Sequence, residues 1–156
     1  MNVALRPVTD DDWPAVAAIL ADPTVARWWG VTREDIREDF EDPHAILVDG
    51  ELAGVVDIYE EPEPGYRHGA LDIVLAAPFQ DRGIGRAALR RAATILFDEL
   101  GHHRITIDPA ADNVRAIRCY EAIGFRPVGI MRDYEQAPDG TWHDGLLMDL
   151  LRGELR

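Results

Sequence analysis

Residues 69–100 read GALDIVLAAPFQDRGIGRAALRRAATILFDEL, and three elements follow one another in them without a gap. Leu71, Ile73, Val74 and Leu75 form a short apolar run with β-branched members, the pattern of a strand covered on both faces. Asp72 is its one charged residue. Gln80-Asp81-Arg82 then leads to Gly83 and Gly85, which permit a tight turn and close backbone approach. Behind them Ala88, Ala92, Ile95, Leu96 and Leu100 recur at helical spacing. A helix opening behind glycines offers unpaired N–H groups and the positive end of its dipole, so the turn suits a phosphate or diphosphate. An ordinary strand-to-helix connection is the plainer alternative.

The phosphate ligand is narrowed by what is missing. No Gly-Lys-Ser/Thr follows the glycines, as a P-loop would require, and no dinucleotide-binding GxGxxG stands near the N-terminus. Four arginines, Arg82, Arg86, Arg90 and Arg91, lie in or just after the turn. They would let a polyanion bind there, although Arg90 and Arg91 also read as a solvated helix face. All 16 basic residues of the chain are arginine, against 29 acids, for a net charge of −13. So acidic a chain repels nucleic acid and anionic membranes and attracts cationic ligands.

With 156 residues, 47% of them hydrophobic, the chain has the composition of a globular protein and the length of one domain, 1–156. It lacks a stretch long enough to cross a bilayer and the N-terminal pattern of a signal peptide, so a cytoplasmic location is expected. A single cysteine, Cys119, leaves no internal disulfide, and the five histidines show no metal-binding spacing, so no metal is expected.

Outward from the central stretch, Asn2–Val8 reads as a strand. A helix over Trp13–Leu20 follows, with Pro14 in its first turn and Pro23 stopping it. Trp28-Trp29-Gly30 is expected in a loop, one tryptophan filling the core and the other forming a flat wall for a substrate. Thr32-x-x-Asp35 resembles a capping box ahead of a short helix that turns Ile36 and Phe40 inward. Ala45–Val48 and Leu52–Tyr59 form a hairpin about Asp49-Gly50, with Asp57 and Tyr59 on one face. Glu60, Glu61 and Glu63 lie among prolines in a loop that is either a charged surface or a recruiter of cations. Beyond the long helix come a strand at Arg104–Asp108, a helix over Val114–Ile123 closed by Gly124, and strands at Phe125–Ile130 and Asp144–Leu151.

In this order, Gln80-x-x-Gly83-x-Gly85 between strand and helix resembles the acetyl-CoA-binding turn of the GNAT N-acetyltransferases, although Asp81 stands where such turns often carry glycine. Asp108-Pro109-x-x-x-Asn113-x-Arg115-Ala116-Ile117-Arg118-Cys119-Tyr120-Glu121-x-x-Gly124-Phe125 matches the family's N-x-x-A-x-x-x-Y-x-x-x-G-F pattern. Within the family, the Asp-Pro pair, NxRAIRCYE and the double tryptophan resemble the aminoglycoside 6'-N-acetyltransferases.

The resemblance implies an α/β GNAT fold. Its mixed, twisted sheet would have about seven strands with helices on both faces, splayed between the fourth and fifth to admit acetyl-CoA. It implies that backbone amides of Gln80, Arg82, Gly83, Ile84, Gly85 and Arg86 bind the pyrophosphate, and that Asn113 bonds the pantetheine arm. An amide at Val74 or Leu75 would polarise the acetyl carbonyl. Tyr120 would protonate the departing thiolate, with a core-edge tyrosine as the structural alternative. Asp72 would be general base or amine anchor and Asp108 an acceptor contact, unless either pairs with an arginine. Trp28, Trp29, Tyr59, Asp57 and Glu63 complete the expected acceptor site. The implied acceptor is a small cationic amine, an aminoglycoside first and a polyamine, amino acid or protein N-terminus otherwise; a non-catalytic acyl-CoA sensor is the remaining reading. A homodimer is left open.

Overall fold

A computed structural model describes residues 1–156. Its centre is a seven-stranded sheet with strands β1 (Val3–Pro7), β2 (Pro43–Val48), β3 (Glu51–Glu61), β4 (His68–Leu75), β5 (Arg104–Ile107), β6 (Arg126–Gln136) and β7 (Trp142–Leu151), in the order β1-β2-β3-β4-β5-β7-β6. All pairings are antiparallel except β4 with β5, and that parallel contact consists only of Gly69 opposite Ile105 and Ala70 opposite Thr106. Past those two residues the strands diverge, so Leu71–Leu75 has a partner on the β3 side alone. The expected mixed sheet, splayed between its fourth and fifth strands, is the one observed.

Helices α1 (Trp13–Ala21) and α2 (Pro23–Trp29) cover one face. There Val16, Ile19, Leu20 and Val25 pack on Val55 and Val74. Helix α3 (Ile84–Thr94), continued by a wider π-type turn over Ile95–Glu99, and α4 (Val114–Ala122) cover the other. On that side Ile84, Leu89 and Leu96 pack on Val56, Ile58, Leu71 and Ile105. The period-two alternation of β3 and β4 sorts the residues between these faces. Val56, Ile58 and Leu71 go toward α3, while Val55, Asp57, Asp72 and Val74 go toward α2.

Three local expectations change. Trp28 and Trp29 end α2 instead of lying in a loop. Pro23, which stops α1, also sits in the first turn of α2, where a missing N–H is harmless, and the Asp22 carboxylate caps that turn by accepting from the Thr24 amide at 2.9 Å. Thr32 caps nothing; Asp35 caps the short 3-10 turn Ile36–Asp39, accepting from the Arg37 amide at 3.1 Å. Phe40 is buried as expected and stacks on Trp29 at 5.4 Å. Strands β6 and β7 run longer than their sequence pattern indicates, because a bulge in β6 breaks the alternation that would mark its second half. The hairpin between β2 and β3 turns at Asp49 and Gly50, both at positive φ, as a two-residue turn of its type requires.

Candidate functional site

A cavity of about 1160 Å³ lies where β4 and β5 separate, and its two walls have opposite chemistry. One wall is the turn from Gln80 into α3. Gly83 takes φ 78, a left-handed conformation that favours glycine, and the Ile84 side chain is fully buried, which seats the start of the helix. The backbone amides from Asp81 through Arg86 donate to no other group of the protein. Asp81 also adopts the left-handed conformation, at φ 59, which explains why glycine is at home in this position. Its carboxylate is engaged by Arg115 at 3.5 Å. Arg115 in turn donates to the Gln80 side chain, whose Nε2 donates to the Leu75 carbonyl at 3.0 Å. Strand, turn and α4 are thus locked together through one glutamine.

Of the four arginines near the turn, Arg86 lines the cavity, joined there by Arg115 and Arg118 of α4. Arg82 does not. Its guanidinium lies over the Phe79 ring at 5.6 Å and donates to the Pro78 carbonyl, leaving the amide as its only offering to the turn. Arg90 donates to the Arg156 carbonyl at 2.7 Å and Arg91 is exposed.

Between the walls lie Val74, Leu75, Asn113, Cys119 and Tyr120. Ala76 donates its amide to Ala53 on β3 at 2.9 Å. By alternation the Leu75 amide, not that of Val74, turns to the open side, where the Leu75 carbonyl already receives Gln80. Asn113 caps α4, its Oδ1 accepting from the Ala116 amide at 3.3 Å, so only its NH2 group is left for a ligand. Tyr120 is buried. Burial first, then the nearby Asp72, Cys119 and Asp108, raises its hydroxyl well above the usual range, so it keeps its proton.

The opposite wall is acidic and aromatic: Trp28, Trp29, Tyr59, Asp72, Asp108, Tyr134 and Glu135. Asp72 sits directly across from Asp57 in the β3–β4 register. Burial, followed by the charges of Asp108, Glu135 and Asp57, pushes its carboxyl up to about 8. Asp108 is likewise raised by burial, against the hydrogen bond that the Tyr134 hydroxyl donates to it. Glu135 is raised by burial and by Asp108, with His143 opposing. None of these three takes part in any ion pair of the chain, so the alternative of an arginine partner for Asp72 or Asp108 is excluded. The three carboxyl groups thus lie together outside every ion pair of the chain, each raised by its burial.

Two expected acceptor residues lie elsewhere. Asp57 is fully buried beneath the chain that precedes β2, where its carboxylate accepts from the amides of Glu41 and Asp42, the latter at 2.8 Å. It does not line the cavity and acts on it through its charge on Asp72 and Tyr59. Glu63 is exposed in the turn after β3 and does not line the cavity. Tyr134 and Glu135, which do line it, escape a reading of the sequence because they lie past the point where the β6 alternation fails. No sequence signal marks them; Gly30, directly after the tryptophan pair, takes φ 93 and lies where a Cβ would collide with Glu135 Oε1, a relation that only the fold shows.

A family model for the acetyltransferase (GNAT) domain matches residues 2–126. The chain is 29% identical to the aminoglycoside N(6')-acetyltransferase type 1 of Klebsiella pneumoniae over 165 residues, covering 89% of this chain and 79% of that one. Among solved structures, Mycobacterium smegmatis RimJ in complex with CoA-disulfide superposes with a TM-score of 0.86 at 26% identity, covering 97% of this chain and 83% of the other. The aminoglycoside acetyltransferase AAC(6')-Ib in complex with coenzyme A and kanamycin superposes with a TM-score of 0.79 at 26% identity, covering 97% and 95%.

Proposed function

Since the chain belongs to the GNAT acetyltransferase family, we propose that it transfers the acetyl group of acetyl-CoA to a primary amine of a small polycation, with an aminoglycoside as the acceptor class. The observation that carries this reading is the two-sided cavity. Unpaired amides and three arginines form one wall, and three carboxyls without a basic partner form the other. The relatives named for aminoglycosides support the same acceptor.

The amides of Asp81 to Arg86 and the Arg86 and Arg118 guanidiniums fit a diphosphate, which a helix N-terminus binds without further charge. Acetyl-CoA supplies the thioester. The Asn113 NH2 group bonds the pantetheine arm, and the Leu75 amide takes the carbonyl oxygen as charge gathers on it. The acceptor arrives as an ammonium ion. Asp108 and Glu135 hold its other positive groups, while Asp72 accepts the proton of the attacking nitrogen. A carboxyl poised near 8 is matched to that task, because it holds a proton when the site is empty and yields it as the cation enters. As the N–C bond forms and the C–S bond breaks, the Tyr120 hydroxyl would give its proton to the sulfur and take up the second proton that the nitrogen sheds, so that the ammonium loses one proton to Asp72 and one to Tyr120. Attack is direct, and Cys119, its thiol raised by burial, carries no acyl group.

The test is steady-state turnover of acetyl-CoA with kanamycin, tobramycin, spermidine and an alanyl peptide as acceptors. The expected result is the highest kcat/KM for kanamycin or tobramycin. Turnover confined to spermidine would move the acceptor to linear polyamines, and turnover confined to the peptide would move it to protein N-termini. A rate no greater than buffer for all four would remove the acceptor claim and leave the family.

A further inference from the structure

Tyr134 and Glu135 are consecutive, yet both line the cavity. On a regular strand consecutive side chains point to opposite faces, so a local irregularity must turn one of them. It is found opposite Asp144. Met131 pairs with Gly145 and Glu135 with His143, so Arg132, Asp133 and Tyr134 face Asp144 alone. A bulge of this kind bends the strand and re-aims side chains.

Two residues of β7 hold the bulge. Asp133 takes φ 46, which side chains seldom adopt, and its amide donates to Asp144 Oδ1 at 2.9 Å. At Gly145 a Cβ would stand 2.8 Å from Tyr134 Cδ2, so the missing side chain makes room for the tyrosine ring. The same stretch of β7 is tied to the loop behind Asp108. Ala111 donates to the Asp144 carbonyl at 2.9 Å, and Leu146 donates to the Pro109 carbonyl at 2.8 Å. The outcome is that Tyr134 meets the Asp108 carboxylate and Glu135 lies against Gly30.

Resting on the acceptor reading above, we propose that Asp144 and Gly145 are positioning residues. They hold the β6 bulge so that Tyr134 and Glu135 enter the cavity, and so set acceptor affinity without lining the cavity themselves.

Asp144→Ala removes the oxygen that holds the Asp133 amide, and Asp144→Asn keeps it. Loss of that charge-assisted bond in the alanine variant raises the acceptor KM about tenfold and leaves the acetyl-CoA KM within about twofold. The asparagine variant returns the acceptor KM to within about threefold of the parent. A second readout needs no acceptor: the nuclear Overhauser contact between the Tyr134 ring and the Gly145 α protons, present in the parent and Asp144→Asn and lost in Asp144→Ala. An unchanged acceptor KM with that contact intact in Asp144→Ala overturns the proposal, as does an equal rise in both KM values. If the parent acetylates no amine, the acceptor reading fails by itself and the ring contact still decides the bulge. Should Asp144→Ala not fold, Gly145→Ala, whose methyl collides with the ring, must give the same split between the two KM values.

Discussion

The two walls of the cavity are built in opposite ways. The phosphate wall is chiefly a run of neighbours, Gln80 to Arg86, joined by Arg115 and Arg118 of α4, and its useful groups are mostly backbone amides that a glycine turn and a helix start leave unpaired. The acidic wall draws on the end of α2, on β3 and β4, on the residue after β5, and on β6. An anion site can therefore be written in seven consecutive residues, because the helix supplies the donors. A cation site needs carboxylates brought together against their own repulsion and desolvation, and only a complete fold holds them there. The walls also differ in what they cost. The amides are free at no penalty to folding, whereas Asp72, Asp108 and Glu135 all sit above the usual carboxylate range.

That contrast breaks most visibly at Tyr120, where the walls meet. Tyr120→Phe lowers kcat about a hundredfold while the acetyl-CoA Kd by calorimetry stays the same, the signature of a lost general acid. Retained turnover would place the proton donor elsewhere, and loss of cofactor binding would make Tyr120 part of the phosphate wall. Next in size, Asp72→Asn lowers turnover at least about tenfold, roughly 1.4 kcal/mol in barrier. The rise of kcat/KM through about pH 8 that Asp72 gives the parent disappears with it. An unchanged pH profile would clear Asp72 of the base role.

A smaller effect sharpens the phosphate side. Gly83→Val forces a β-branched residue into a left-handed conformation and weakens acetyl-CoA roughly five- to thirtyfold, about 1–2 kcal/mol of backbone strain, with the acceptor KM unmoved. Equal losses for both substrates would mean that the two walls are not separable.

Stability responds as well. The folded chain keeps the Asp72 proton up to about pH 8, whereas the unfolded chain loses it at about pH 4. The native state binds the extra proton between these values, so Asp72 weakens folding as pH rises through that window. The Tm of Asp72→Asn accordingly matches that of the parent at about pH 4 and exceeds it at about pH 8, as scanning calorimetry would measure. A variant less stable than the parent at the higher pH would mean that Asp72 has a stabilising partner in the folded chain.

Most of the architecture was legible because it rests on short-range rules. Apolar runs, turn residues and caps place β1 to β5, α1, α3 and α4 to within a few residues, and Asp49-Gly50 marks its hairpin. Where a residue serves two elements the reading fails, as at Pro23, which ends one helix and starts another. Parity alone also misleads at Asp57. It shares a face with Tyr59 and Asp72, but the amides of Glu41 and Asp42 close over it.

From the order of its residues alone, this chain is committed to a strand, a glycine turn and a helix that present free amides to a diphosphate, since those groups are local backbone and need no distant partner. Which carboxyls gather opposite them was decided by tertiary structure. Asp72 stands free while Asp57 is sealed, and Tyr134 and Glu135 join the site only through a bulge held from β7. Long-range register and burial, not residue type, determine which acids face the opening.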